Sequence, residues 1–210
     1  AQNRQLPSSG TGGDYDGVLD EVQLYNRSLN FTEVQQLAGV TSTVNSVIVT
    51  TVTDINESGI IAGNASHTID WLAANQGVGG ISLREAIIAA NNTTNTVIGP
   101  DEILFDISGV GPHTISLTTA LPTITEAVVI DGSSDPDYSN APLLALNGNG
   151  IFANGIHLGA GSDGSTVRGL IIHSFGDDGI QIDSDENTIV GNYIGTDGTN
   201  DLGNTFNGNR

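Results

Sequence analysis

The 210-residue sequence predicts an all-β fold, a right-handed parallel β-helix (solenoid) led by a short N-terminal capping helix. Three observations predict it. Glycine (28), asparagine (20), threonine (21) and serine (17) fill 86 of the 210 positions, which favours turns and short strands over long helices. Two blocks, STVRGLII (165–172) and NTIVGNYI (187–194), superpose at an offset of 22 residues, pairing Thr166 with Thr188, Val167 with Ile189, Gly169 with Gly191 and Ile172 with Ile194. Before each block lies a second element, NGIHL (154–158) and DGIQI (178–182), at an offset of 24. Units this short cannot bury their own apolar faces and must stack on their neighbours. A period near 22 has room for three short strands and none for a helix between them.

Charge and composition exclude several functions. Five arginines, no lysine and 24 acidic residues give a formal charge of −19, which repels nucleic acid. Without cysteine there are no disulfides, thiol nucleophiles or cysteine-zinc sites, and methionine is absent too. No apolar run approaches the roughly 20 residues of a membrane helix, so no membrane insertion is expected. The opening AQNRQLPSSGTGG carries no hydrophobic signal region, so either a leader has been removed or the chain begins inside something larger. An acidic, lysine-free, Asn/Thr/Gly-rich surface is associated with secreted bacterial surface proteins, and an extracellular or cell-surface location is expected.

Three segments follow in order: 1–40, 41–100 and 101–210. In the first, Val18, Val22 and Leu24 share one parity of a strand, and Asn30 with Glu33 starts a short helix closed by Gly39. Gly17, Leu19-Asp20-Glu21-Val22, Leu24-Tyr25-Asn26-Arg27, Leu29 and Glu33-Val34 resemble the C-terminal tail of laminin-G/concanavalin-like jelly-roll domains, which implies a strand-helix remnant of that domain. In the second, VIVTTVTD opens with β character, Thr68 caps a helical turn over 69–74, and Ser82 with Glu85 forms a capping box for a helix over 83–90. In the third, ILFDI (103–107), HTISL (113–117), AVVIDG (127–132) and PLLALNG (142–148) read as further short strands. The expected inward residues are Ile103, Phe105, Ile107, Ile115, Leu117, Val128, Ile130, Ile156, Leu158, Val167, Ile180, Ile182 and Ile189.

The second and third segments together resemble bacterial parallel β-helix surface proteins with a CSLREA-type N-terminal element. The resemblance rests on ISLREAIIAANN, DEILFDI, HTISLTTALPTITEAVVIDG, STVRGLIIHSFGDDGIQI and NTIVGNYIGTD, with Ile81 where the element's name has Cys. It implies that the LREA helix precedes and covers the open end of the apolar stack.

Candidate chemistry is sparse. Gly176-Asp177-Asp178-Gly179 is similar to the Gly-Asp-Asp stretch of polygalacturonase-like β-helix hydrolases, which would make Asp177 and Asp178 the catalytic carboxylates. The Asn-Thr-Asp, Gly-His-Gly and Arg-Ile-Lys stretches of that family are missing, so the segment reads as a turn. A lyase needs an Arg or Lys base, and Arg168 is the one cation inside the repeats. The four histidines have no H-x-x-H or H-E-x-x-H spacing and read as strand-edge or surface residues, not as transition-metal ligands. Calcium is the candidate ion for the acidic turns, through Asp183, Asp185 and Asn187, with Asp14-Tyr15-Asp16 and Asp135-Pro136-Asp137 offering similar oxygens. The stretch from Asp183 fails the EF-hand template, with no Gly at the sixth place and Ile194 at the twelfth, and a solvated acidic turn is the competing reading. No other cofactor is indicated.

The expectation is a non-enzymatic extracellular structural or adhesive module. Its partners would be further copies of itself, neighbouring domains of a longer chain, or surface glycans. Open strand edges suggest head-to-tail growth into a fibre, with Val18, Val22, Leu24 and Tyr25 on the donor strand. A fragment of a longer protein and a processed subunit both fit. The alternative is a polysaccharide hydrolase or lyase, or a glycan-binding module, although ten aromatic residues offer few stacking platforms.

Overall fold

Short apolar runs become strands here only by pairing with distant ones. In the computed structural model the described residues are 45–95 and 99–196, all within the unit Ser42–Arg210. The strand and helix expected over 1–40, with Val18, Val22, Leu24 and Tyr25, lie outside them.

The strands are β1 (Ser46–Val49), β2 (Asp101–Phe105), β3 (His113–Ser116), β4 (Val128–Asp131), β5 (Leu144–Asn147), β6 (Ile156–Leu158), β7 (Thr166–Arg168), β8 (Leu170–His173), β9 (Ile180–Ile182), β10 (Thr188–Val190) and β11 (Tyr193–Ile194). They pair in parallel within three sheets, ordered β1-β2-β4-β7-β10, β11-β8-β5-β3 and β6-β9. The 22-residue offset appears as Thr166 opposite Thr188, Val167 opposite Ile189 and Ile172 opposite Ile194, and the 24-residue offset as Ile156 opposite Ile180.

The offset does not extend to a uniform repeat. Along the five-stranded sheet the separation between partners is 56 residues (Ser46 to Glu102), 27 (Glu102 to Val129), 37 (Val129 to Thr166) and 22 (Thr166 to Thr188). Two helices also supply a large share of the interior. The expectation of an all-β right-handed parallel β-helix is therefore corrected: the architecture is an α/β-type arrangement of parallel strands in three sheets with few helices.

Helix α1 (Ile69–Ala74) is capped by the Thr68 hydroxyl, which accepts from Trp71 N, and ends at Asn75. Helix α2 (Leu83–Asn92) starts at the Ser82/Glu85 capping box and runs two residues past the expected end. Its buried face, Leu83, Ala86, Ile87 and Ala90, packs towards α1, β1 and β2. Thr93 fastens the two helices, its hydroxyl donating to Ala89 O (2.7 Å) and accepting from Ile69 N (3.0 Å). The buried Glu85 carboxylate accepts from Ser82 N (2.9 Å) and Ser58 N (2.8 Å). Arg84 grips Asp54 with two parallel bonds of 2.8 and 2.9 Å and donates to the Ala120 and Thr119 carbonyls at 2.7 and 3.0 Å. The LREA stretch thus holds three segments together.

Ten of the thirteen residues expected inside are buried; Ile180 and Ile189 pack partly against the core, and Ile182 is 45% exposed. Ile182 has the inward parity of its partner Leu158, but β9 is an edge strand of a two-stranded sheet, with no strand beyond it among the described residues. The run VIVTTVTD stays a strand only to Val49. Thr50 then pairs with Ile81 instead, through Thr50 N to Ile81 O and Ile81 N to the Thr50 hydroxyl, both 3.0 Å.

Strands β7 and β8 belong to different sheets yet are separated by one residue, Gly169, at φ +72°. A Cβ there would stand 2.6 Å from Ser133 N, whereas at the equivalent Gly191 (φ +65°) it would meet nothing within 4 Å. We expect Gly169→Ala to cost about 2–4 kcal/mol and Gly191→Ala about 1–2 kcal/mol, the strain of the left-handed backbone alone. Denaturant unfolding of the two variants measures the difference.

Candidate functional site

The Asp177–Asp178 pair lies on an exposed turn before β9. The turn is held by backbone bonds, Gly176 N to Ile151 O (2.7 Å) and Gly155 N to Asp178 O (2.9 Å), and by Asp178 N donating to the Asn154 side chain (2.9 Å). Asn154 borders a cavity of about 160 Å³ lined by Ala120, Leu121, Thr123, Ala153, Gly155 and His157. Neither aspartate lines that cavity.

His157, on β6, bridges two other groups: its Nδ1 is 3.1 Å from the Thr123 hydroxyl and its Nε2 2.8 Å from Asp183 Oδ2. The order hydroxyl, imidazole, carboxylate is that of an acyl-transfer triad. The backbone N–H after Thr123 is spent, however, since Ile124 N donates to His157 O at 2.9 Å. A donor so committed cannot receive a developing oxyanion. The His157 contact holds the Asp183 carboxyl below the usual carboxylate range, aided by Gln181, which donates to the same oxygen at 2.9 Å.

Two of the three nominated calcium ligands, Asp183 and Asn187, use their side chains to bond within the chain. Asp183 faces His157, and the Asn187 side chain accepts from Ser165 N (2.9 Å) while donating to Ser184 O (3.0 Å); Asp185 is held through its backbone N–H, which donates to the Asp163 carboxylate (2.8 Å). The Ser165–Asn187 and Asp185–Asp163 bonds join turns 22 residues apart.

A third grouping was only half visible in the sequence. Asp135 and Asp137, nominated as oxygen donors, are joined by His113, whose ring the fold brings from the start of β3. Their ligating atoms all lie within 4.8 Å of one another. The His113 side chain is 10% exposed, and its Nε2 is buried without a hydrogen-bond partner, 3.8 Å from Asp137 Oδ2. Asp135 is buried and accepts from Ile107 N (3.2 Å) and Asp137 N (3.1 Å), while Asp137 Oδ2 accepts from Gly111 N (2.7 Å). Backbone donors thus aim both carboxylates. The histidines, read as strand-edge residues with no metal spacing, include this one because the grouping forms through space.

Two further carboxylates are perturbed. Asp131 pairs across the outer face of the ladder with Arg168 (2.7 Å), its register partner on β7. Burial alone would raise its pKa, but the bonds from Arg168 and Ser133 and the Arg168 charge outweigh burial and hold it below the ordinary range. Asp101 goes the other way. Burial pushes its carboxyl up to about 6; the Asn45 amide, donating at 2.9 Å, opposes the rise and the Glu126 charge adds to it. Its second oxygen is buried without a partner.

A carboxyl whose pKa rises on folding stabilises the fold when protonated, fully so below the ordinary carboxylate range, and this is lost as pH rises through about 6. Relative to Asp101→Asn, the native chain is expected to lose about 2–3 kcal/mol of unfolding free energy between pH 4 and pH 7. Parallel urea titrations at the two pH values measure the loss. No protein-family model, no curated protein and no solved structure matches this chain.

Proposed function

We propose that this chain is a non-catalytic structural or adhesive module of an extracellular bacterial surface protein. One observation carries the reading: polar side chains cross-link neighbouring turns and strands of the chain. Asn154, Asp163, Asn187 and Asn192 bond the backbone of a neighbouring turn or strand, and Asp54 is clamped by Arg84. Such cross-links suit a stiff spacer. The resemblance to CSLREA-type surface proteins and the lysine-free acidic composition favour a cell-surface setting. Among the described residues no helix is long and apolar enough to cross a membrane.

Head-to-tail growth through strand edges remains part of the proposal. Among the described residues the edge strands β9, β10 and β11 carry exposed Ile182, Val190, Tyr193 and Ile194, apolar surface of the kind that strand addition covers. Val18, Val22, Leu24 and Tyr25 would supply the donor strand. Electron microscopy of the full chain at high concentration is expected to show elongated assemblies; monodisperse single particles would remove the fibre.

The second reading, a polysaccharide-acting enzyme or glycan binder using Asp177 and Asp178, is favoured only by the cavity beside Asn154. Incubation with acidic and neutral polysaccharides is expected to release no reducing ends and no unsaturated products. Release that disappears in Asp177→Asn or Asp178→Asn would replace the structural reading with the enzymatic one.

A further inference from the structure

We propose that His113, Asp135 and Asp137 bind a divalent transition metal of the zinc type, a role separate from the structural reading above. The argument starts from the imidazole. His113 Nε2 is out of water and has no hydrogen-bond partner, an arrangement that costs free energy unless something fills it. The nearest carboxylate oxygen, Asp137 Oδ2, is 3.8 Å away, too far for a hydrogen bond. In a tetrahedral site with ligands about 2.1 Å from the ion, ligand atoms stand roughly 3.4 Å apart, so one metal bridges this gap once the two side chains close by a few tenths of an ångström. All three ligating atoms fall within 4.8 Å of one another, and drawing a pair that far apart to the same spacing calls for a closure of up to roughly 1.4 Å.

The surroundings suit such an ion. Ile107 N and Asp137 N hold the two oxygens of Asp135, and Gly111 N holds Asp137 Oδ2. Bonds of this kind orient ligating carboxylates in metal sites and leave each oxygen a free lone pair. The ring and the Asp135–Asp137 pair are placed by separate sheets, His113 by its ladder with Leu144 on β5, and Asp135 by the 3-10 turn Gly132–Ser134 that follows β4. The donor set selects the metal class. An imidazole nitrogen with two carboxylates fits zinc and its first-row neighbours, whereas calcium and magnesium take oxygen ligands. Three protein ligands leave a fourth position for water. A chain of net charge −19 also attracts cations to its surface.

Isothermal titration of the full chain, stripped with chelator, tests the site with ZnCl2 as probe. One Zn2+ per chain is expected at this site, weakened at least tenfold in His113→Gln and in Asp137→Asn, unchanged in His157→Gln, and not displaced by excess CaCl2. The His157 variant controls for the other histidine–aspartate pair. Absence of stoichiometric Zn2+ binding, equal affinity in His113→Gln, or loss in His157→Gln instead would overturn the proposal. Should the variants fail to fold, Co2+ added to the native chain reports on the site directly. Paramagnetic broadening is expected at the amides of His113, Asp135 and Asp137 at lower Co2+ than at Gln181 and Asp183; the reverse order overturns it.

Discussion

A strand of three or four residues can turn only about two side chains inward, so no strand in this chain secures its own place. Everything depends on parallel register being passed from one strand to the next. Val47, Ile103, Ile130 and Val167 follow one another as ladder partners across four strands, each almost fully buried. A slip of one residue anywhere in that row would expose an apolar side chain and bury its neighbour. The same row explains the tightness of the bend after β7: Gly132 and Gly169 lie against each other, and the backbones there approach more closely than any side chain would allow.

Register in such short pieces also needs fixing from outside the ladders, and side chains do this. Asn192 accepts from Leu170 N and donates to Val167 O, so it holds both strands that flank Gly169. Asn91 of α2 does the same for the segment near Ile124, donating to Thr123 O and accepting from Thr125 N. Asparagine suits the task because its amide offers a donor and an acceptor together, the same pair that one residue of a neighbouring strand would offer. The abundance of asparagine, first a sign of turns, thus has a second cause in the structure.

The features legible in the sequence were the local ones. Ser82 with Glu85 and Thr68 with Trp71 act over one turn of helix, so spacing alone revealed both caps. The 22- and 24-residue offsets were readable because equivalent residues recur in both blocks, and they became strand pairings. Extrapolating them to a uniform all-β repeat failed, since upstream partners are joined by connections of different length whose sequences share no pattern. Parity correctly placed Ile182 opposite Leu158 but could not show that β9 would stand at an edge. Around the candidate site, Asp135 and Asp137 were noticed as adjacent oxygen donors, while His113 was not associated with them. Its approach depends on where two sheets sit in space, and no spacing rule encodes that.

Arg84 and Arg168 are the only lysine or arginine residues among those described, and each is engaged by a carboxylate. A protease that cuts after basic residues must draw an extended stretch of backbone into its cleft. At Arg84 that means unwinding the first turn of α2 and releasing Asp54; at Arg168 it means pulling a middle strand out of a five-stranded sheet. For the described residues, trypsin-like digestion therefore has to wait for the fold to open, because the backbone at both arginines is held in secondary structure even where the Arg168 side chain is half exposed.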